Sequence, residues 1–415
     1  MKFIADFHLH SKYSRATSPR MEIENIDIWA QKKGVKLIGT GDFTHPGWFK
    51  DLKEKLSPAE SGLFKIRKNN TETRFMLSSE VNCIYLKGGR AYRVHILLLA
   101  PSFGVVKKIN TKLRKFGNLS IDGRPILRLS ARDLVGIVLS ISKECMIIPA
   151  HIYSPWFSLF GSRSGFNSLE ECFEGYSKYI YAVETGLSSD PPMSWRNSSL
   201  DKVALISNGD SHSPENIGRE ANVFNTDLNY VSIINAIKSK NPKKFLHTIE
   251  FFPQEGKYYM DGHRSCNVSL TPTQSKKQKN LCPKCGKPLT IGVLNRSEEL
   301  SDREEGFCLP RATPFKYLIP LKEIIAEALG VGITTKKVKK EHDILIKRFK
   351  NEFEVLLNVS HKDLSAKLMP EITEGIIRAR KGKVQIIPGY DGVYGKIKVF
   401  SQKERNLFSK QKTFI

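Results

Sequence analysis

Five times in roughly the first half of the chain, a short apolar run stops at a histidine or a carboxylate. Lys2 to Phe7 leads into His8 and His10, Val35 to Gly41 into Asp42, and Arg74 to Ser79 into Glu80. Met146 to Ala150 leads into His151, and Val203 to Gly209 into Asp210 and His212. Short β-branched runs alternating with amphipathic stretches are the pattern of β/α units. The predicted strands are Lys2 to His8, Val35 to Asp42, Arg74 to Asn82, Tyr92 to Ala100, Met146 to His151, Tyr179 to Thr185 and Val203 to Asp210. The predicted helices between and after them are Glu24 to Lys33, Gly104 to Lys115, Ala131 to Lys143, Ser168 to Tyr176 and Tyr230 to Ser239. In a β/α barrel the C-terminal strand ends share one rim. Groups far apart in sequence are therefore expected to face one pocket.

His8 and His10 are two apart at a strand end, so both imidazoles leave the same face, preset to grip one ion. An HxH pair alone is more often two hydrogen-bonded histidines; the recurrence at other strand ends carries the case. His95 comes early in its run, but the turn Lys87-Gly88-Gly89-Arg90 suggests a hairpin whose mirror pairing sets His95 opposite Asn82. Glu80 is then its diagonal neighbour on the same face. The competing reading of His95 is a hydrogen-bonded core histidine. Ligands of this kind suit zinc, manganese or iron rather than calcium. Two or three ions sharing Glu80 would activate water and neutralise phosphodiester oxygens, and no nucleophile motif is found that would do this instead.

The chain has 415 residues, too many for one ordinary core. After Pro242 the pattern becomes loop-rich and lysine-rich to about Leu309. Beyond that, Pro320 to Leu329, Lys336 to Asn358, His361 to Leu368 and Glu371 to Lys381 read as helices, followed by a strand at Lys396 to Phe400. The expected division is 1–242, 243–309 and 310–415. In the middle part, His263-x2-Cys266-x15-Cys282-x2-Cys285 has the spacing of a structural zinc site, with Cys308 as an alternative to His263. An odd count of 7 cysteines, mostly scattered, argues against a disulfide framework. No apolar run is long enough for a membrane span and no secretory signal is visible, so a cytoplasmic, nucleoid-associated location is expected.

The set His8-Leu-His10-Ser, Gly-Thr-Gly-Asp42, Ser-Ser-Glu80, Val-His95-Ile-Leu, Pro-Ala-His151 and Gly-Asp210-Ser-His212 resembles the polymerase-and-histidinol-phosphatase superfamily of phosphoesterases. The resemblance implies a distorted seven-stranded β/α barrel with a trinuclear site. One ion would use His8, His10, Glu80 and Asp210, a second Glu80, His95 and His151, and a third Asp42, His45 and His212. Catalysis would centre on Asp210, His212, Glu80 and Asp42, with zinc, manganese, magnesium or iron as the metal. This chain departs from many members at Ser14-Arg15-Ala16-Thr17-Ser18, where an acidic or histidine ligand is usual. That puts the third ion in question and suggests a phosphate contact for Arg15. The same segment, Tyr153 to Gly161 and Glu184 to Arg196 are similar to the endonuclease Q family. That likeness implies a nick on the 5′ side of deoxyuridine, deoxyinosine, deoxyxanthosine or an abasic site, in an archaeal or related repair pathway.

A formal net charge of +24 fits a polyanionic partner, here double- or single-stranded DNA. Candidate contacts are the lysines of the cysteine module (276, 277, 279, 284 and 287), the basic residues from Lys336 to Lys350, and those from Arg378 to Lys383. A lone charge run is more often a solvated face. Reading one altered base requires unstacking it. The candidates are Ser14, Arg15, Tyr153, Trp156, Phe157, Phe160, Arg163, Ser189, Trp195, Arg196 and Asn197, together with Tyr390 or Tyr394 in the Gly-rich turn Pro388 to Lys396. Packing of long loops on the barrel is the competing reading. Leu407-Phe408 and Gln411 to Ile415 faintly resemble a sliding-clamp-binding peptide. The alternatives kept open are a phosphomonoesterase, a 3′ to 5′ exonuclease and an inactive DNA-binding protein.

Overall fold

The computed structural model describes residues 1–68, 71–401 and 403–405. The clamp-like tail lies outside the described residues. In chain order the strands are β1 (Lys2–Asp6), β2 (Leu37–Gly39), β3 (Leu56–Pro58), β4 (Phe64–Ile66), β5 (Arg74–Lys87), β6 (Arg90–Ala100), β7 (Ile126–Leu127) and β8 (Met146–Pro149). They continue with β9 (Ala182–Glu184), β10 (Ala204–Ile206), β11 (Ala221–Asn225), β12 (Phe245–Glu250), β13 (Asp261–His263), β14 (Val268–Leu270) and β15 (Phe315–Tyr317).

The α/β expectation holds, with a mixed sheet. One sheet runs β15-β12-β11-β1-β2-β5-β4-β3, with β6 joining β5 to β8, and β7 beside β5. Strands β1, β2 and β5 are parallel, whereas β11 pairs antiparallel with β1 and β12, and β6 with β5 and β8; β15 lies parallel to β12. The parallel pair β9–β10 is a separate ladder. It is tied to its neighbours beyond the strand ends: Ile152 N donates to the Glu184 carbonyl, Ser211 N to that of His8, and His10 N to that of Ser211. The ends of β1, β8, β9 and β10 are thus held together.

Alternation along the strands sorts their side chains. Phe3, Ala5 and Phe7 of the first segment point inward with Leu97, Leu99, Ile148 and Ile206 to fill one core. The opposite faces meet the helices in a second core that runs from Leu9 to Phe400. The hairpin β5–β6 turns through Gly88 and Gly89, with φ of 57° and 78°, a left-handed pair that glycine adopts without strain. Its register sets His95 opposite Asn82, as the mirror pairing predicts.

Five of the seven predicted strands are shorter than expected, whereas the hairpin extends β5 to Lys87 and starts β6 at Arg90. His8, Asp42, His151 and Asp210 lie just past their ladders, and three of them have left-handed backbone: Asp42 at φ 46°, His151 at 32° and Asp210 at 43°. The chain turns sharply there and aims each side chain across the rim. The helix Pro46–Lys55 was not predicted. Its signal was a capping one, with Pro46 in the first turn and His45 Nδ1 accepting from Trp48 N.

The expected boundary at residue 242 falls between two paired strands, because β12 joins β11 and β15 joins β12. The sheet therefore extends beyond the first 242 residues. Past it, helices Leu321–Leu329, Lys336–Phe349, His361–Ser365 and Pro370–Arg380 share the outer core. The single helix expected from Lys336 to Asn358 breaks at Lys350, φ 81°. The break swings Glu352 inward, where it accepts from Lys33 Nζ at 2.9 Å and pairs with His342 Nε2 at 3.0 Å. Arg378 and Arg380, expected on DNA, are used internally. Arg378 pairs with Glu374 and Glu404, and Arg380 donates to the carbonyls of Val355 and Leu356. Among the described residues no helix is long and apolar enough to cross a membrane.

Candidate active site

The strand ends place His8, His10, Glu80 and Asp210 so that their ligand atoms lie within 4.8 Å of one another, and Glu80, His95 and His151 likewise. Glu80 belongs to both groups, one through each oxygen. Oε2 lies 3.3 Å from His10 Nε2 and 3.7 Å from His8 Nε2, whereas Oε1 lies 2.8 Å from His95 Nδ1 and 3.1 Å from His151 Nε2. Asp210 Oδ1 completes the first group, 3.0 Å from His10 Nε2 and 3.5 Å from His8 Nε2.

The other ring nitrogens fix how these ligands are presented. His8 Nδ1 sits 3.0 Å from both oxygens of Glu184, and His10 Nδ1 3.0 Å from Asp42 Oδ1. A carboxylate there makes Nδ1 the donor, so each Nε2 offers its lone pair to the centre. His8 Nε2, His10 Nε2 and Asp210 Oδ1 are all buried without a hydrogen-bond partner. Buried polar atoms rarely stay unpaired, and donors of this chemistry converging on one point fit a divalent cation. The electrostatics agree. Burial would lower the pKa of His8, but Glu184, Asp210 and Glu80 draw it well above its usual value. The cluster thus holds an excess of carboxylate that attracts positive charge. His95, by contrast, is lowered to about 4 by burial and is a neutral imidazole at pH 7.

The residues implied for a third ion are placed otherwise. Asp42 is fully buried and saturated: it holds His10 and accepts from Ser11 N at 2.6 Å, Ser11 Oγ at 2.7 Å and Ser14 Oγ at 2.9 Å. His45 caps a helix and its Nε2 sits 3.2 Å from the Ser120 carbonyl. His212 packs 4.6 Å from the His10 ring, with Nδ1 2.8 Å from the Asp210 carbonyl. Asp42 and Ser14 therefore orient a ligand, and among the described residues the three do not form a ligand group.

Two contributors went unassigned in the sequence. Glu184 ends β9 as Glu80 ends its apolar run, so the strand-end signal was present. Besides His8 it accepts from His151 N at 3.1 Å and Asn208 Nδ2 at 3.0 Å. Arg124, from an irregular loop, places Nη1 3.2 Å from Glu80 Oε2, and no motif marks it. We expect Glu184→Gln to weaken metal retention by about 10- to 100-fold, the usual cost of losing a partner that orients a ligand. Metal content after graded chelator dialysis checks this, and retention equal to the parent's would remove Glu184 from the centre.

Among the expected base readers, Tyr153 and Phe160 are fully buried with ring centroids 5.4 Å apart, and Ser189 is buried with its hydroxyl on the Thr185 carbonyl. Packing won at these positions. Phe157 stacks over His95 at 5.1 Å. Trp195 lies against Phe315, Arg196 donates to the Arg303 carbonyl, Asn197 is buried, and Tyr390 bonds Asn267. Arg15 is exposed beside Asp122. Trp156, after β8, lines a cleft of about 310 Å³ with Arg219 before β11, Phe251, Lys257 and Tyr258 after β12, and Tyr394 of the Gly-rich turn.

His263, Cys266, Cys282 and Cys285 also gather within 4.8 Å. Against the desolvation that raises it, the amides of Lys284 and Cys285 pull the Cys282 thiol down to about 7. Cys308 lies apart, its thiol on the Gly306 carbonyl. The module is tied to the loop after β8 by buried Arg296, which donates to the carbonyls of Phe160 and Phe166 at 3.0 and 2.9 Å.

Comparison with known proteins places this architecture. The lesion-specific endonuclease PfuEndoQ from Pyrococcus furiosus superimposes with a TM-score of 0.86 at 30% identity, over 98% of this chain and 99% of that one. An endonuclease Q in complex with a 27-mer duplex carrying an abasic lesion at its active site gives 0.85 at 30% identity, over 97% and 98%. Residues 320–383 match the MJ0043 C-terminal domain family. The uncharacterized protein MJ0043 of Methanocaldococcus jannaschii is 38% identical over 67% of this chain, which spans only 36% of that protein. YqxK of Bacillus subtilis, also uncharacterized, is 29% identical over 96% of this chain and 99% of its own length. Fold and site together define a nuclease. The chain belongs to the endonuclease Q family.

Proposed function

We propose that this protein is a metal-dependent DNA repair endonuclease that hydrolyses the phosphodiester on the 5′ side of a deaminated base or an abasic site. The observation that carries the reading is Glu80, shared between two groups of converging donors, in the first of which His8 Nε2, His10 Nε2 and Asp210 Oδ1 are buried with no hydrogen-bond partner among the described residues. Relatives that are lesion-specific and that engage an abasic duplex support the substrate class. We assign the two groups to divalent ions (zinc, manganese, magnesium or iron), the Cys/His group to a structural zinc, and the rim to a distorted seven-stranded barrel.

Bound there, the ions would supply Lewis acidity towards water and the phosphate oxygens. The residues do the rest. Glu184 and Asp42 hold the two imidazoles in one tautomer. Arg124, partly open to solvent, is positioned to take a non-bridging oxygen of the scissile phosphate. His212 donates through Nδ1 to the Asp210 carbonyl, so Nε2 of the neutral ring is a proton acceptor at the edge of the site. The cleft lined by Trp156, Tyr258 and Tyr394 is an aromatic-walled space beside the metal groups and suits an extruded base.

Duplexes labelled at the 5′ end and carrying one deoxyinosine, one deoxyuridine, one abasic site or no lesion test the proposal. A single chelator-sensitive cut immediately 5′ of the lesion is expected. Lesion-independent ladders would instead mean an exonuclease.

A further inference from the structure

Beside the metal groups, on the edge carrying β7, a groove of about 880 Å³ is lined by Arg114, Lys115, Ile121, Ile126 and Arg128. All five are solvent-exposed, and among the described residues no carboxylate lines the groove. Ile121 and Ile126 are 65% and 56% exposed, large apolar side chains set among three cations. No described residue buries them.

The segment joining this groove to the active site is fixed at several points. Gly123 N donates to the Tyr13 carbonyl at 3.0 Å, its own carbonyl accepts from Thr44 Oγ1 at 3.2 Å, and Asn82 N donates to the Pro125 carbonyl at 3.0 Å. A side chain at Gly123 would meet Asp42 Oδ2 at 2.2 Å and Ser14 Oγ at 2.3 Å, so the backbone lies directly against the pair that orients His10. Arg124, the next residue, reaches Glu80. The groove and the metal groups are thus parts of one rigid surface, with Arg124 between them.

We propose that this groove carries the sugar-phosphate backbone of the DNA strand as it leaves the cut site. Arg114, Lys115 and Arg128 take successive phosphates, and Ile121 and Ile126 pack on sugars. A partner presenting regularly spaced anions between apolar faces matches this lining, and a strand whose scissile phosphate meets Arg124 is delivered to its mouth. The inference rests on the nuclease reading above and adds a binding surface to it.

The test compares two triple variants with the same loss of charge. One is Arg114→Gln/Lys115→Gln/Arg128→Gln. The other is Lys107→Gln/Lys108→Gln/Lys112→Gln, on exposed positions of helix Phe103–Leu113 outside the groove. Kd for an abasic duplex is measured across a salt series. Each phosphate contact contributes about 0.9 to the slope of log K against log salt, so the groove variant should lose about 2 to 3 from that slope and bind at least about tenfold more weakly at 0.1 M salt. The off-groove variant should keep the parent slope. Ile121→Glu, a change at an exposed site, should weaken binding in the same direction. A groove variant with the parent slope and Kd overturns the proposal, as does an off-groove variant that loses the same slope. Failure of the unmodified protein to cut at the lesion would instead overturn the nuclease reading, which the salt series does not depend on.

Discussion

Asp210→Ala is expected to abolish cleavage while leaving the protein folded and able to bind lesion-bearing duplex. Asp210 supplies one of four donors in the first ligand group, and its Oδ1 has no hydrogen-bond partner. Its side chain is 25% exposed, so truncation leaves little cavity. Removing a ligand that positions a Lewis acid costs several kcal/mol of transition-state stabilisation, and about 4 kcal/mol is already a thousandfold in rate. Asp210→Asn should lose activity to a similar extent, because it keeps the shape but not the charge. Single-turnover cleavage, gel shift and thermal melting on the same preparations separate chemistry, binding and folding. Undiminished cleavage by either variant removes the metal assignment.

Cys282→Ser is expected to unfold the small module without melting the main sheet and its helices. The module's own core is only Val268, Cys282 and Leu289, with Cys266 and Leu270 packed against it. So few apolar groups cannot offset the conformational entropy of ordering the segment. An ion held by His263, Cys266, Cys282 and Cys285 would supply the difference, since structural zinc contributes about 10–16 kcal/mol in small peptides. The parent should release one equivalent of zinc on thiol modification and resist proteolysis between Arg264 and Leu289. The variant should release none and be cut there, with the main melting transition retained. DNA affinity should fall with it, because Lys276, Lys277, Lys279, Lys284 and Lys287 are exposed on this frame. A proteolytically resistant variant would mean that the four side chains do not bind metal.

Much of the site was legible because the strands of β/α units advertise their ends. A short apolar run closing on His, Asp or Glu needs no tertiary information, and the Gly88-Gly89 turn was enough to place His95 against Asn82. Distinguishing a ligand from a group that orients one was beyond the pattern. Asp42 and Glu80 look alike in sequence, yet Asp42 is enclosed by Ser11, Ser14 and His10 whereas Glu80 faces two groups of imidazoles. Glu184 carried the same strand-end mark and was passed over. Arg124 carried none, since its position depends on a loop pinned by Tyr13, Thr44 and Asn82 from three other segments. Aromatic loops were overread for the usual reason: Tyr153 and Phe160 are large apolar rings, and burial claimed them. The short strands β11, β12 and β15 were likewise invisible, because pairing rather than periodicity defines them.

Asp42, His151 and Asp210 all hold the left-handed backbone that an ordinary side chain adopts at a cost of roughly 1 kcal/mol or more. Glycine would take these corners freely. At Asp210, whose Oδ1 has no hydrogen-bond partner among the described residues, glycine would relieve that strain at the loss of one donor, whereas at Asp42 it would also leave Ser11 N, Ser14 Oγ and His10 Nδ1 without their acceptor. The strain at Asp210 is thus a cost carried for chemistry, while the strain at Asp42 is offset by the bonds its side chain makes, and a designer borrowing the scaffold for another purpose should begin at Asp210.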